Sequence, residues 1–178
     1  MSSWNKIFKP VVVLVVICIV VTGALAATNQ VTAPIIEAAT IAAENAARTE
    51  LLPEAEGAFT QVEGVEVANV SAIYVADNGT GTVITSSAKG YGGDVVVMTA
   101  INPDGTIKQI KVTEQAETKG IGSKVVDTPS YWENYVGVSA AQPLVLNQDV
   151  DAVTSATVSS MALINAVNAA IEAYNAIP

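Results

Sequence analysis

The pattern of hydrophobic and polar positions divides the chain into distinct regimes. From Val11 to Ala27 it is apolar and uncharged. With Ile7 and Phe8 before it, this run is just long enough to cross a bilayer core as a helix. Pro34 to Leu52 is rich in Ala, Ile and Glu, which predicts a second helix with Pro34 near its first turn and Pro53 to Gly57 as its end. From Val62 to Thr113 β-branched residues take over, broken by turn residues. Strands are expected at Val65–Val75, Gly81–Ser87, Val95–Ile101 and Thr106–Val112. The last two are joined by Asn102-Pro103-Asp104-Gly105, a strong hairpin turn.

Beyond Thr113 the period is lost through Glu114–Lys124. Ser130–Tyr135 reads as a short helical turn and Leu144–Leu146 as a short strand. Met161, Ile164, Val167, Ile171 and Tyr174 then recur at spacings of three and four, the mark of an amphipathic helix over Thr157–Ala176. Helix, antiparallel strands and helix together predict an α+β class: an N-terminal transmembrane helix, then one domain with an antiparallel sheet flanked by helices. The expected division is 1–28 as membrane anchor and 29–178 as an exported domain.

Charge orients the apolar run. Lys6 and Lys9 precede it, whereas Glu37 and Glu44 are the first charges after it, so the positive-inside rule puts the N-terminus in the cytoplasm and the domain on the outer face. Lys6 and Lys9, the valine run and Ala24-Leu25-Ala26 also fit a cleaved signal peptide; both readings export the domain.

Composition narrows the chemistry. The 178 residues include 17 acidic and 8 basic ones, for a net charge of -9, and Arg48 is the sole arginine, which argues against nucleic-acid binding. There is no histidine, which removes the usual general base, the Ser-His triad, His-ligated haem and most zinc sites. The single cysteine, Cys18, lies in the apolar run, so intrachain disulfides and thiolate clusters are excluded. Any redox work must be carried by a bound organic cofactor.

Three segments are candidates for holding one. Asp151 to Ser160 reads DAVTSATVSS, hydroxyl-rich and leading into the last helix. Orphan N–H groups and the helix dipole attract phosphate there, although ordinary N-capping would also use Ser or Thr. Glu117-Thr118-Lys119-Gly120-Ile121-Gly122-Ser123-Lys124 carries glycines that allow close approach to a flat ligand or a sharp turn, although an ordinary surface loop would also read this way. Lys89-Gly90-Tyr91-Gly92-Gly93 stands just before a strand, as a bulge or tight corner would.

In order and spacing these segments resemble the FMN-binding domain shared by the G subunit of the Rnf electron-transport complex and the C subunit of the sodium-pumping NADH:quinone reductase. The family pattern is G-Y-G-G, a hairpin with an N/D-x-D-G turn, E-T-P-G-L-G, then D-x-x-S-G-A-T-x-S-S before a C-terminal helix. Its counterparts here are Gly90–Gly93, Asn102–Gly105, Glu117–Gly122 and Asp151–Ser160. The short length and motif forms favour the Rnf protein.

The resemblance implies FMN attached covalently to Thr157 by a phosphoester, made by a separate flavin transferase that uses FAD. Asp151, Thr154, Ser155 and Ala156 would form the recognition sequence, with Ser160 near the phosphate. Glu117, Thr118, Gly120 and Gly122 would lie near the isoalloxazine ring. The implied role is electron carriage between subunits of an ion-translocating ferredoxin:NAD oxidoreductase in the cytoplasmic membrane, with no catalysis of its own. Ser155 and Lys119 replace the family's usual glycine and proline. Positive φ at Ser155 would cost about 1 kcal/mol, and a cation at Lys119 would raise the potential of a nearby flavin. The alternatives are a pilin-like or surface structural protein without cofactor, and the FMN-binding domain of another exported reductase.

Overall fold

The computed structural model describes residues 3–177, with side chains from Phe8 onward. Residues 1 and 2 of the expected anchor, the side chains of Lys6 and Ile7, and Pro178 lie outside the described residues. The chain divides into two units, Met1–Ala43 and Glu44–Pro178.

The described residues of the first unit lie within α1, a helix over Ser3–Leu51 with Pro10 and Pro34 inside it. Its large apolar side chains, from Val11 through Leu25 and on to Ile36, are exposed. By length and composition it can cross a membrane, with a mean hydropathy of 2.9 in its most apolar window. Pro34 does not start a new helix, as its place in the sequence suggested. An interior proline costs about 3 kcal/mol through one lost hydrogen bond and a ring clash. Here the Ala-rich helix formers on the C-terminal side carry α1 through it.

The second unit begins with the end of α1 and contains one antiparallel meander in the order β1-β2-β3-β4-β5. The strands are β1 (Phe59–Gln61), β2 (Val70–Ala76), β3 (Thr82–Lys89), β4 (Asp94–Ile101) and β5 (Ile107–Glu114). After the sheet come two short helices, α2 (Ser123–Val126) and α3 (Pro129–Trp132), a 3-10 turn at Glu133–Tyr135, and the long α4 (Thr157–Asn175). The four expected strands are present, and β1 is additional. The expected strand from Val65 begins only at Val70, because Gly64 and Asn69 take positive φ and turn the chain. Leu144–Leu146 is not a strand. Pro143 precedes it, Asn147 has a φ of 63°, and the Val145 N–H is taken by Asp149 Oδ2 at 2.7 Å, leaving one isolated bridge from Leu146 to Val150.

Alternation along the strands gives the sheet two apolar faces. One packs Ile73, Ile84, Val97, Ile101 and Ile110 against Leu163, Val167 and Ile171 of α4. Ser86 fastens the layers by donating its hydroxyl to the Ala166 carbonyl at 2.7 Å. On the other face, Val83, Met98 and Ala100 meet Ala47, Leu51 and Leu52 at the end of α1. Arg48, though buried, has no ion pair among the described residues; its guanidinium lies 3.7 Å from the centre of the Tyr74 ring, and its charge suits the C-terminal end of a helix. The sheet is therefore fixed on both faces, and α4 begins at a defined place beside the β3–β4 turn.

Candidate functional site

Three loops meet at the start of α4. The first is the β3–β4 turn, where Gly90 N–H donates to Gly93 O at 2.8 Å. The second runs from the end of β5 into α2, through Glu117 and Gly122. The third is the segment before α4, in which Ser155 takes a φ of 69°. Between them lies a cleft of about 540 Å³ lined by residues of all three loops, with Thr157 on its wall. That size falls within the roughly 300–1,000 Å³ typical of small-molecule sites.

Glu117 joins the loops. It is 8% exposed. Its Oε1 accepts the Tyr91 N–H at 2.7 Å and the Gly92 N–H at 3.1 Å, and its Oε2 accepts the Ser159 hydroxyl at 2.5 Å. The glycines around it have a steric reason. A Cβ on Gly122 would stand 2.3 Å from Glu117 Oε2, and one on Gly92 would stand 2.0 Å from the Ala116 carbonyl oxygen.

Burial pushes the Glu117 carboxyl up, but hydrogen bonds from Ser159, Gly92 and Tyr91 together outweigh it and leave the group below the usual glutamate range. A folded-state value below the unfolded one contributes stability above the unfolded pKa, about 4.3, and that contribution is lost as pH falls through the folded value. Thermal melts from pH 7 down to about pH 3 should therefore fall more steeply for the wild type than for Glu117→Gln. Parallel curves would contradict the arrangement.

The helix start itself is open. Its N-cap is Ala156, no side chain caps it, and the first backbone bond into it runs from Ser160 N–H to Ala156 O at 2.9 Å. The N–H groups of Thr157, Val158 and Ser159 thus have no acceptor among the described residues. The capping expected of a Ser/Thr-rich start is absent because Ser159 donates to Glu117 and Ser160, fully buried, accepts the Val153 N–H at 3.1 Å. Thr157 is exposed as the first residue of α4. An exposed hydroxyl beside unpaired helix N–H groups is a fitting place for a phosphoester, because both the donors and the helix dipole favour negative charge.

The preceding loop is pinned from behind. The Tyr131 hydroxyl donates to the Asp151 carbonyl at 2.8 Å, and Asn147 Oδ1 accepts the Ala152 N–H at 3.0 Å. At Ser155 the left-handed backbone is strained for a residue with a Cβ. Ser155→Gly should raise stability by about 0.5–1 kcal/mol, or roughly 2–4 °C in Tm. A lower melting temperature in the apo protein would contradict the strain.

Of the residues expected at the site, Thr157, Ser155, Ala156, Glu117, Thr118 and Gly122 line the cleft. Asp151 and Thr154 are exposed outside its lining, and Gly120 donates its N–H to Ser123 Oγ at 2.8 Å. Ser160 lies behind the helix start and Lys119 is exposed away from the lining. Sequence reasoning did not single out Ser159, Ile121 or Val158, which do line the cleft; Tyr91 was visible only as part of the Gly90–Gly93 motif.

The chain is similar in sequence to known proteins along almost its whole length. Residues 90–172 match the FMN-binding domain family and residues 1–51 match the RnfG N-terminal region. The G subunit of the Na(+)-translocating ferredoxin:NAD(+) oxidoreductase complex of Acetobacterium woodii is 32% identical, over 97% of this chain and 93% of its own. The G subunit of the ion-translocating oxidoreductase complex of Methanosarcina acetivorans is 29% identical, over 99% of this chain and 98% of its own. A crystal structure of Shewanella oneidensis NqrC aligns over 62% of each chain, with 24% identity and a TM-score of 0.47. With an FMN-binding domain behind an RnfG-type N-terminal helix, and full-length similarity to such proteins, the chain belongs to the G-subunit family of ion-translocating oxidoreductase complexes.

Proposed function

We propose that this chain is an electron-carrying subunit of a membrane-bound, Rnf-type ion-translocating ferredoxin:NAD oxidoreductase, and that it holds FMN through a phosphoester to Thr157. The observation that carries the reading is the exposed Thr157 hydroxyl at the uncapped start of α4, on the wall of a cleft. When bound, FMN supplies the capacity to accept and release electrons singly or in pairs, which a domain without histidine or cysteine lacks.

The chain's own part is to bind and orient. Unpaired N–H groups of Thr157, Val158 and Ser159 stabilise the negative charge of the phosphodiester. Tyr91 and Ile121, both exposed at the cleft, offer apolar surface to a flat ring. Attachment consumes FAD and is performed by a separate flavin transferase. Thr157 Oγ1 would bond the phosphorus on the flavin side of the pyrophosphate as the P–O bond to the adenylate half breaks, with AMP as the leaving group and the threonine proton released.

The other partners are further subunits of the complex. Residues 1–28 anchor the chain in the cytoplasmic membrane with the N-terminus inside. The domain that follows stands on the outer face, the orientation favoured by Lys6 and Lys9 before the apolar run and Glu37 after it. Covalent attachment suits that side, where a dissociated flavin would be lost.

The test is to express the full chain with and without a flavin transferase and look for flavin fluorescence in a denaturing gel. A fluorescent band that needs the transferase supports the proposal. A dark band, with the transferase shown active on another substrate, overturns it and favours a cofactor-free structural role.

A further inference from the structure

Both carboxylate oxygens of Glu117 are engaged by groups of the protein itself. Oε1 is taken by the backbone N–H groups of Tyr91 and Gly92, and Oε2 by the Ser159 hydroxyl. These partners belong to the β3–β4 turn and to the first turn of α4, and Glu117 stands on the loop between β5 and α2. The side chain is buried, and the absence of a Cβ on Gly90 and on Gly122 makes room for its two oxygens. Ser159 is the third residue of α4, close enough to the helix start to compete with a ligand for the open N–H groups were its hydroxyl not committed elsewhere. We infer that Glu117 is a positioning residue for flavin attachment, acting through Ser159 and the β3–β4 turn to hold the start of α4 open toward the cleft. The inference rests on the proposed attachment at Thr157 and goes beyond it by naming what keeps the acceptor hydroxyl and its anion site in register.

A carboxylate that positions through hydrogen bonds is replaceable by its amide. In Glu117→Gln, Oε1 still accepts from Tyr91 and Gly92, while the NH2 group donates to Ser159 Oγ, which turns to accept. Glu117→Ala removes the bridge and leaves the loops to drift relative to Thr157. Misplacement on the scale of an ångström is enough to slow a transfer reaction by about ten- to a hundredfold.

The experiment uses the full chain, purified apo in detergent, with flavin transferase and FAD, and reads initial rates of flavin incorporation by in-gel fluorescence. Glu117→Gln should incorporate flavin within about threefold of the wild-type rate, and Glu117→Ala about ten- to a hundredfold more slowly. Ser159→Ala should also be slowed, and Glu117→Ala/Ser159→Ala should be no slower than Glu117→Ala alone, because the two residues act through one bond. Near-ultraviolet circular dichroism confirms folding, and if Glu117→Ala fails to fold, Ser159→Ala and Glu117→Gln decide. Wild-type rates in Ser159→Ala or Glu117→Ala overturn the inference, as do multiplicative losses in the double variant. A Glu117→Gln rate as low as that of Glu117→Ala overturns it too, since charge would then be what matters. A dark wild type beside an active transferase would instead remove the Thr157 reading, and this inference with it; a bright wild type with an equally bright Glu117→Ala removes the inference alone.

Discussion

Thr157→Val should fold as the wild type does and carry no covalent flavin. Valine has nearly the shape of threonine, and Thr157 is exposed at the first position of α4, with no hydrogen bond from its hydroxyl to the rest of the protein among the described residues. Exposed substitutions of that kind change stability by about 0.5 kcal/mol or less. What the substitution removes is the oxygen proposed above to carry the phosphoester. Incorporation of flavin, read as fluorescence after denaturation, should fall to background while the melting temperature of the apo protein stays within about 2 °C. Residual fluorescence in Thr157→Val would mean that a neighbouring hydroxyl takes the phosphate.

The second large effect is expected at Gly92. A Cβ there would stand 2.0 Å from the Ala116 carbonyl oxygen and 2.9 Å from its carbon. Both are backbone atoms, so no side-chain rotation relieves the clash and the β3–β4 turn must move as a unit. Movement draws the Gly92 and Tyr91 N–H groups away from Glu117, leaving a buried carboxylate short of donors. Gly92→Ala should cost about 2–3 kcal/mol, a fall of roughly 5–10 °C in Tm, with flavin incorporation lost in parallel. A cost below about 0.5 kcal/mol would show that the turn does not approach as closely as described.

Much of this was legible in the chain wherever a short-range pattern fixed the outcome. The Asn102–Gly105 turn and the periodic apolar positions of α4 are local signals, and β4, β5 and α4 lie within a few residues of where they were expected. The continuous α1 was harder to foresee, because Pro34 looks like a helix start from its neighbours alone. At three residues, β1 is too short to carry a period, and its place at the sheet edge depends on pairing with β2.

The site divides the same way. Thr157 and the cleft residues Glu117, Thr118 and Gly122 stood out through motif resemblance. What Glu117 does was not readable, because its partners lie 25, 26 and 42 residues away in sequence. Ser159 was hidden for a related reason: in a run of hydroxyls each one looks like a cap, and only the fold shows that Ala156 occupies the cap position. Lys119 stood in the right motif, yet its side chain does not line the cleft. A spacing pattern reports which loop a residue is on, not which way it faces.

The central claim is that Thr157, among several closely spaced hydroxyls, is the one that carries the flavin. Ser159 donates its hydroxyl to Glu117, Ser160 is buried, and Thr154 lies outside the cleft lining, so Ser155 is the nearest competitor with an exposed side chain at the cleft. Fragmentation mass spectrometry of the flavin-bearing peptide, from full chain matured with a flavin transferase, separates these positions directly. The account predicts an FMN phosphoester on Thr157 alone; an adduct on Ser155 or Thr154, or an unmodified peptide, would contradict it.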